Sequence, residues 1–216
     1  MGGGADAVLL KALRDLATLA RWCVALSSAS AFGRPKQIGR GLRLGPGIRI
    51  GRGATIGADV RIEGKVVVGD NVTIESGALL LGNIAIGRGT CIGRYTYLGT
   101  GPEGRLSIGE DVLVNDFSTV GAMKSLTIAD HCIFAAHLQI TDSEHGMDAG
   151  QHVKHAPIRS EPVSVGEGVW LGSHVVVLMG STIGARSVVG AHSLVNSAIS
   201  EDSVAFGIPA RVRRAR

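Results

Sequence analysis

The stretch Ile50–Ile62 reads IGRGATIGADVRI and places an aliphatic residue at every sixth position. The same spacing holds from Ile38 to Leu98 without interruption, and it returns in residues 108–120, 128–140 and 165–195. A period of six fits neither an α-helix, with about 3.6 residues per turn, nor a single strand, with about two. It predicts a hexapeptide repeat, in which each unit supplies one short strand and one corner of a parallel β-helix.

Two further regularities mark the corners of this repeat. Gly often follows the aliphatic residue, as in Ile50-Gly51 and Ile183-Gly184, where the chain must turn tightly or backbones approach closely. The content of 45% hydrophobic residues argues that the 32 Gly belong to this pattern and not to a disordered chain. The fifth position of many units is small: Ala54, Ala78, Thr90, Thr96, Ser118, Ser181, Ser187 and Ser193.

The repeat also predicts the size of the body. Residues 38–200 contain 23 hexads once three longer connections are set aside, which add 4 residues after Leu98, 2 after Val120 and 19 after Ile140. Three hexads make one triangular coil, so the sequence predicts between seven and eight coils. Residues 18 apart then stack on one face of adjacent coils. This places Arg43 over Arg61 and His174 over His192, and we interpret both pairs as solvated surface unless a ligand runs beside the histidines.

An amphipathic pattern precedes the repeats. Apolar residues at three- and four-residue steps predict one α-helix over 7–27. It fits a cap that packs against the first coil or a neighbouring subunit, or an interfacial helix that rests on a membrane with Trp22 as an anchor. Charges at Lys11, Arg14, Asp15 and Arg21 argue against a secretory signal and against a transmembrane helix.

These patterns divide the chain into three regions and indicate its compartment. We expect a helix and linker over 1–33, the repeat body over 34–206 with a candidate active-site loop at 143–162, and a basic C-terminal tail over 207–216. Cys23, Cys91 and Cys132 form no CxxC motif, which favours reduced thiols in a cytoplasmic protein. The alternative to a purely cytoplasmic protein is peripheral contact with a membrane through the N-terminal helix. Cys132 is expected to fill a small core position.

The formal charge of +4 and the pI of about 9.3 favour an anionic partner. Nucleic acid is not expected, because aromatic stacking platforms and a recognition-helix motif are both missing from the sequence. A phosphate-bearing cofactor needs only a local basic patch.

The 19 extra residues after Ile140 are the clearest functional signal. A long insertion in a regular solenoid is usually functional or disordered. It contains His145, and an imidazole is the side chain best suited to accept a proton near neutral pH. An exposed loop histidine without a function is the alternative for this residue alone.

Residues 108–214 resemble the hexapeptide acyltransferases, particularly the galactoside, maltose and capsular-polysaccharide O-acetyltransferases. Three stretches carry the resemblance: Val165–Val176 (VGEGVWLGSHVV), Gly180–Ala185 (GSTIGA) and Val204–Val212 (VAFGIPARV). The N-terminal coils match only as repeats. The resemblance implies a left-handed parallel β-helix, although crossovers between parallel strands are nearly always right-handed.

The resemblance also implies an activity: direct transfer of an acyl group from acetyl-CoA to a sugar hydroxyl, within a homotrimer and without a metal. It implies a role for each matching position. His145 is the general base, Asn115 helps to bind the acceptor sugar, Trp170 lines the site, the backbone amide of Ser173 faces the thioester carbonyl, and Ala191, Arg211 and Arg214 lie along the coenzyme A groove. We also expect the loop to reach a neighbouring subunit and to complete a site there.

Several points stay open on the sequence alone. Asp142, Glu144 or a backbone carbonyl could orient the imidazole, Trp170 also fits simple packing, and the C-terminal arginines also fit a solvated tail. Residues 1–33 do not match the acceptor-binding helical segment of the galactoside and maltose enzymes. This favours a sugar within a polysaccharide or a lipid-linked glycan as the acceptor.

The sequence also bears on other members of the repeat superfamily. The γ-class carbonic anhydrases need two histidines five apart, which this chain lacks, and His131 and His137, six apart, must face different ways. Serine acetyltransferases carry a large helical domain that residues 1–33 are too short to match. Antibiotic O-acetyltransferases, sugar N-acetyltransferases and a non-catalytic solenoid that serves as a binding module stay open as alternatives.

Overall fold

The computed structural model describes residues 31–147, 150 and 152–216, so the predicted helix over 7–27 lies outside the described residues. The described part is mainly β, with short strands and one 3-10 turn at Val153–His155. In chain order the strands are β1 (Ala31–Phe32), β2 (Gln37–Ile38), β3 (Arg43–Leu44), β4 (Arg49–Ile50), β5 (Thr55–Ile56), β6 (Arg61–Val68), β7 (Thr73–Ile74), β8 (Leu79–Ile86), β9 (Cys91–Ile92), β10 (Tyr97–Thr100), β11 (Arg105–Ile108), β12 (Leu113–Val114), β13 (Thr119–Ala122), β14 (Ser125–Ile128), β15 (Ile133–Phe134), β16 (Gln139–Thr141), β17 (Ser143–His145), β18 (Ile158–Ser160), β19 (Val163–Val165), β20 (Trp170–Leu171), β21 (Val176–Val177), β22 (Thr182–Ile183), β23 (Val188–Val189), β24 (Leu194–Val195), β25 (Ser203–Gly207) and β26 (Ala210–Ala215).

The strands stack in parallel on three faces, as the six-residue period predicts. Face I contains β2, β5, β7, β9, β12, β15, β20, β23 and β25. Face II contains β3, the first part of β6 and of β8, then β10, β13, β16, β21 and β24. Face III contains β1, β4, the last part of β6 and of β8, then β11, β14, β19 and β22. Because β6 and β8 run through the corner between faces II and III, those two faces form one hydrogen-bonded sheet.

The β-helix has about nine turns, so the prediction of seven to eight coils was too low. The hexad count began at Ile38 and ended at residue 200. In the structure Ala31–Phe32, which the sequence assigned to a linker, pairs with Arg49–Ile50. At the other end Ser203–Gly207 adds a further rung, and Ala210–Ala215, expected to be a tail, turns back on it as an antiparallel strand.

The core is one continuous column of aliphatic side chains. Alternation along each two-residue strand sends the second residue inward, which explains why one aliphatic residue per hexad is enough. Phe134 is the largest fully buried side chain among the described residues. The small residues predicted at the fifth position are all buried, and the hydroxyls among them bond to backbone carbonyls. For example, Ser118 Oγ donates to the Asn115 carbonyl at 2.8 Å and Ser193 Oγ to the Gly190 carbonyl at 2.6 Å.

Each corner has a different character. The corner between faces I and II, here called the ring corner, places Tyr95, Phe117, His137, His174 and His192 one above another. The corner between faces III and I, the charged corner, contains ion pairs such as Arg186–Asp202 at 2.6 Å. Turn residues at both corners have φ near +50° to +80°, the left-handed region that Gly, Asn, Asp and His tolerate best. The corner between faces II and III, the loop corner, contains the long insertion.

The predicted ladders are confirmed. Arg43 is the register partner of Arg61. The rings of His174 and His192 stack at 4.7 Å between centroids. His131 and His137 lie at the charged corner and the ring corner respectively, facing different ways as predicted. Among the described residues, no helix reaches the length and apolarity that crossing a bilayer requires.

Candidate active site

The long loop leaves the prism at a buried carboxylate. Asp142 is fully buried, and its two oxygens accept three backbone N–H groups from the preceding coil. These come from Met123 at 2.6 Å, Lys124 at 2.8 Å and Ser125 at 2.7 Å. The Asp142 carbonyl also accepts the N–H of Glu161 at 3.0 Å, where the loop returns. Asp142 therefore joins both ends of the loop to the loop corner.

The loop itself is an ordered hairpin over much of its described length, and not the structureless insertion that its length suggested. Strand β17 pairs antiparallel with β18, so that His145 lies opposite Ile158. The Gly146 N–H extends this pairing by donating to the Pro157 carbonyl at 2.9 Å. The side chain of His145 is exposed at the end of β17. A short, braced strand thus holds the predicted base out from the prism wall.

The structure corrects one of the proposed orienting partners of His145. The carboxylate of Asp142 accepts three backbone amides, so it anchors the start of the loop and does not orient the imidazole. Glu144 precedes His145 in the same strand, and neighbouring side chains of a strand point to opposite faces. No hydrogen bond joins either carboxylate to the His145 ring in the described structure.

The other predicted residues lie at face I and the ring corner. Asn115 follows β12, is half-buried, and its Oδ1 accepts the N–H of Asp116 at 2.8 Å. Trp170 begins β20 on face I between Ile133 and Val188, with 52% of its surface exposed. The exposure of Trp170 excludes core packing. Ser173, half-buried, turns the chain at the ring corner immediately before His174.

The backbone at the ring corner offers a row of donors that the sequence did not reveal. In two of the earlier coils a side chain from the next coil caps the corner amide: Ser76 Oγ accepts the N–H of Ala58 at 3.1 Å, and Asp116 Oδ1 accepts the N–H of Arg94 at 2.7 Å. The residue that follows Ser173 by one coil is Ala191, whose side chain has no hydrogen-bond acceptor. Within the described residues the N–H groups of Ala136, Ser173 and Ala191 have no hydrogen-bond acceptor. Three free donors therefore lie on consecutive coils.

The charged corner has a comparable row of amides, but different side chains surround it. Uncapped N–H groups occur there at Asp130, Glu167 and Ala185 in the described structure. The carboxylates of Asp130 and Glu167 would repel an anionic ligand at that row. The ring-corner row has Ala136, Ser173 and Ala191 in the same places, so it is the row that suits an anion.

The C-terminal residues close the prism next to the ring corner. Arg211 and Arg214 belong to β26, are exposed, and donate to the carbonyls of Ala210 and Ala215 at 2.8 Å and 3.0 Å. The guanidinium of Arg213 lies 5.4 Å from the centre of the Phe206 ring. The basic segment is therefore held on the last coil by strand pairing and is not a loose tail.

His145 does not share a corner with the other candidates. It extends from the loop corner, only three residues beyond the Asp142 anchor, a reach of at most ~11 Å for an extended chain. Asn115, Trp170 and Ser173 lie on face I and at the ring corner, and face I is the side of the triangle opposite the loop corner. One chain therefore separates the predicted base from the predicted acceptor and donor residues.

Neither of the two cysteines in the described part of the chain provides a nucleophile near His145. Cys132 is buried in the core, as predicted, and its thiol lies 3.2 Å from the Gly166 carbonyl. Burial raises the pKa of the Cys132 thiol to about 11. Burial also raises the pKa of Cys91, which is half-buried on face I. Among the described residues no cluster of His, Cys, Asp and Glu is arranged to hold a metal ion.

No protein-family model matches the chain. Half of the chain is 34% identical to the putative lipopolysaccharide biosynthesis O-acetyl transferase WbbJ of Escherichia coli, over 117 residues that make up 60% of that protein. The galactoside O-acetyltransferase of Escherichia coli is 35% identical over 109 residues, 50% of this chain and 53% of the relative. The chain is similar to bacterial O-acetyltransferases.

A further relative shows the same similarity, and the coverage shows how much of the relatives' length is matched. The putative colanic acid biosynthesis acetyltransferase WcaF of Escherichia coli is 32% identical over 112 residues, 52% of this chain and 59% of the relative. The chain therefore spans little more than half the length of these curated relatives. The matches confirm the resemblance to O-acetyltransferases inferred from the sequence.

A solved structure supports the fold. The UDP-N-acetylglucosamine acyltransferase from Campylobacter jejuni matches with a TM-score of 0.68, covering 87% of this chain and 73% of that chain. The sequence identity is only 13%, so this match shows the fold alone. Together, the comparisons support the left-handed sense of the β-helix.

Proposed function

We propose that the protein is an acetyl-CoA-dependent O-acetyltransferase that acylates a sugar hydroxyl in the synthesis of a polysaccharide or other glycan. The observation that carries the proposal is His145, held out from the solenoid on a braced hairpin in a chain similar to O-acetyltransferases. Two of the relatives, WbbJ and WcaF, are named for lipopolysaccharide and colanic acid biosynthesis, which favours a glycan acceptor.

The free amides support a donor site along the ring corner. Their spacing of one coil, about 4.8 Å, suits an extended arm with amide carbonyls that lies parallel to the prism axis. Coenzyme A has such an arm between its thiol and its phosphates. Arg211 and Arg214, on the last coil, would meet the phosphates at the far end of the row. Arginine suits this role because its guanidinium matches phosphate geometry.

The proposed chemistry needs a base and an oxyanion donor. His145 accepts the proton of the acceptor hydroxyl as the oxygen attacks the acetyl carbonyl carbon. The new C–O bond forms, the C–S bond to coenzyme A breaks, and the departing thiolate takes the proton back from His145. The N–H of Ser173 donates to the carbonyl oxygen as negative charge develops there, and the loss of one such donor typically costs ~2.7–4 kcal/mol.

The separation of His145 from face I supports a site shared between two copies of the chain. Face I presents a stripe of apolar side chains in register, from Leu113 through Ile133, Trp170 and Val188 to Val204. Ile133 and Trp170 are 53% and 52% exposed. A continuous apolar stripe of this kind marks a protein–protein interface. Packing face I against the loop corner of a second copy would bring His145 of that copy towards Asn115, and repetition of this contact around a threefold axis gives the proposed trimer.

Activity and binding assays test the proposal together. We expect coenzyme A to raise the melting temperature, and acetyl-CoA to release free thiol when sugar glycosides are supplied. His145→Ala should lower the rate of release by a factor of ~10²–10⁴ and keep the thermal shift. His155→Ala, in the same loop and equally exposed, is the matched control and should keep both.

Two other results would redirect the proposal. Release of thiol with antibiotic alcohols, or with amino sugars, in place of sugar hydroxyls would assign one of the alternative acceptors. A chain without any thermal response to coenzyme A would be a non-catalytic solenoid. Retention of more than about a tenth of the rate by His145→Ala would contradict its role as the base.

A further inference from the structure

A ring of positive charge surrounds the first coil of the β-helix. Its members are distributed over all three sides of the prism, all are exposed, and none lies in the candidate active site. The basic ring consists of Arg34 and Arg52 at the charged corner, Lys36 before β2 on face I, Arg40 at the ring corner, Arg43 on face II and Arg49 on face III.

The charge is concentrated at this end. Residues 31–58 contain these six cations and no Asp or Glu. Residues 59–200 reverse the balance, with nine Lys and Arg against fourteen Asp and Glu. Residues 201–216, at the other end, contain four Arg against one Asp and one Glu, so the first coil is the more positive end and the body between the two ends is negative. A charge difference of this size orients a protein towards an anionic surface.

Most of the ring is not neutralised by carboxylates. Arg52 pairs with Asp70 at 3.4 Å, and Glu63 bonds to Arg61 at 2.7 and 2.9 Å close to Arg43. The remaining four, Arg34, Lys36, Arg40 and Arg49, have no carboxylate within 4 Å among the described residues. Their charge is available for an external partner.

We propose that the basic ring docks the end of the prism on a membrane surface that contains anionic phospholipids. The shape of the patch favours a flat partner, because the cations encircle the prism axis and a strand of nucleic acid would engage only one side. Residues 34–58 contain no aromatic side chain on which bases could stack. Strand β1, the first that the structure describes, lies at this end of the prism.

Docking at this end would set the axis of the prism upright on the membrane. The negative body would then point away from the lipid, which removes a repulsion that a prism lying flat would suffer. The proposal uses no residue of the candidate active site, so it goes beyond the proposed function and can fail without it.

Vesicle co-sedimentation of the full chain tests the proposal. We expect binding to vesicles of phosphatidylcholine with phosphatidylglycerol, and much weaker binding to phosphatidylcholine alone. Each Lys or Arg near an anionic surface contributes roughly a factor of five, so Arg40→Gln, Arg43→Gln and Arg49→Gln together should weaken partitioning by about 100-fold. Added salt should weaken the binding of the unaltered chain, because it screens exposed charges.

A matched variant separates the ring from net charge. Lys65→Gln, Arg105→Gln and Lys124→Gln remove three exposed cations from the body and should leave partitioning close to that of the unaltered chain. Melting temperatures and the coenzyme A response of both variants verify the fold. Equal partitioning by the two variants would overturn the proposal. Binding to neutral vesicles that is insensitive to the ring variant, or a preference for RNA over vesicles of equal phosphate content, would overturn it as well.

Discussion

The carboxylate of Asp142 accepts the backbone N–H of Met123 at 2.6 Å, and this bond joins the start of the active-site loop to the coil below. The same carboxylate also accepts the amides of the next two residues. A buried acceptor with three amide donors is a strong local constraint, because each donor would otherwise be left without a partner. Asp142 is thus a positioning residue, three residues before the proposed base.

Replacement of Asp142 should show how strongly this anchor stabilises the protein. Asp142→Ala leaves three buried donors unpaired, and we expect a loss of about 2–4 kcal/mol in the free energy of unfolding. Denaturant unfolding measures this loss. Asp130→Ala is the matched control, since the Asp130 carboxylate is exposed and accepts a single amide, that of Glu110 at 2.8 Å. Its loss should stay below about 1 kcal/mol. Equal losses for the two variants would refute the proposed role of the anchor.

The ring corner predicts a graded response to aromatic deletion. Phe117 stacks between Tyr95 at 5.6 Å and His137 at 5.2 Å, whereas Tyr95 has a ring neighbour on one side only. Aromatic pairs contribute about 0.5–1.5 kcal/mol each. We therefore expect Phe117→Ala to lower the free energy of unfolding by about 1 kcal/mol more than Tyr95→Ala. Both positions have positive φ, so backbone strain from Ala is matched between the two. A larger loss for Tyr95→Ala would argue against stacking as the cause.

Cys132 gives a prediction with a definite pH dependence. Burial raises the pKa of its thiol to about 11, against about 8.5 in an unfolded chain. Because the native state favours the neutral thiol, stability should be complete below the unfolded pKa and should fall as pH rises from there towards 11. Unfolding of the unaltered chain and of Cys132→Ala at several alkaline pH values measures this term by difference. The decline specific to Cys132 should disappear in the variant.

Thiol labelling checks the same point independently. In a chain with Cys23→Ser and Cys91→Ser, only Cys132 can react. It should resist a thiol-reactive dye at pH about 8 in the native state and react fully in denaturant, because the thiolate is the reactive form. Rapid native labelling would contradict the assigned burial.

The solenoid could be predicted from the sequence because each six-residue unit forms one side of a coil. Arg43 over Arg61 and His174 over His192 are separated by one uninterrupted coil of 18 residues, so the period alone places them. Cys132 follows from its place within a hexad. The same reasoning failed for Phe117 and the other rings, whose separations of 22, 20 and 37 residues include the insertions.

The candidate site was likewise predicted only in part. The resemblance supplied His145, Asn115 and Ser173, and the sequence analysis expected the loop to reach a neighbouring subunit. The structure adds that one chain holds His145 apart from Asn115 and Ser173. The role of Asp142 was missed because its partners are backbone amides, which carry no residue-specific signal. The resemblance implied that the amide of Ser173 faces the thioester, and the sequence carries a trace of why it is free: Ala191 follows Ser173 by one coil, whereas Ser76 and Asp116 cap the amides of Ala58 and Arg94.

Mixing two inactive variants tests the shared site most directly. His145→Ala and Asn115→Ala should each be inactive alone if each removes one half of every site. When the two are unfolded, mixed in equal amounts and refolded together, random assembly should make about a quarter of the shared sites intact. The account predicts recovery of thiol release from acetyl-CoA to about a quarter of the unaltered rate. A mixture that stays as inactive as its components would contradict a site built from His145 of one copy and Asn115 of another.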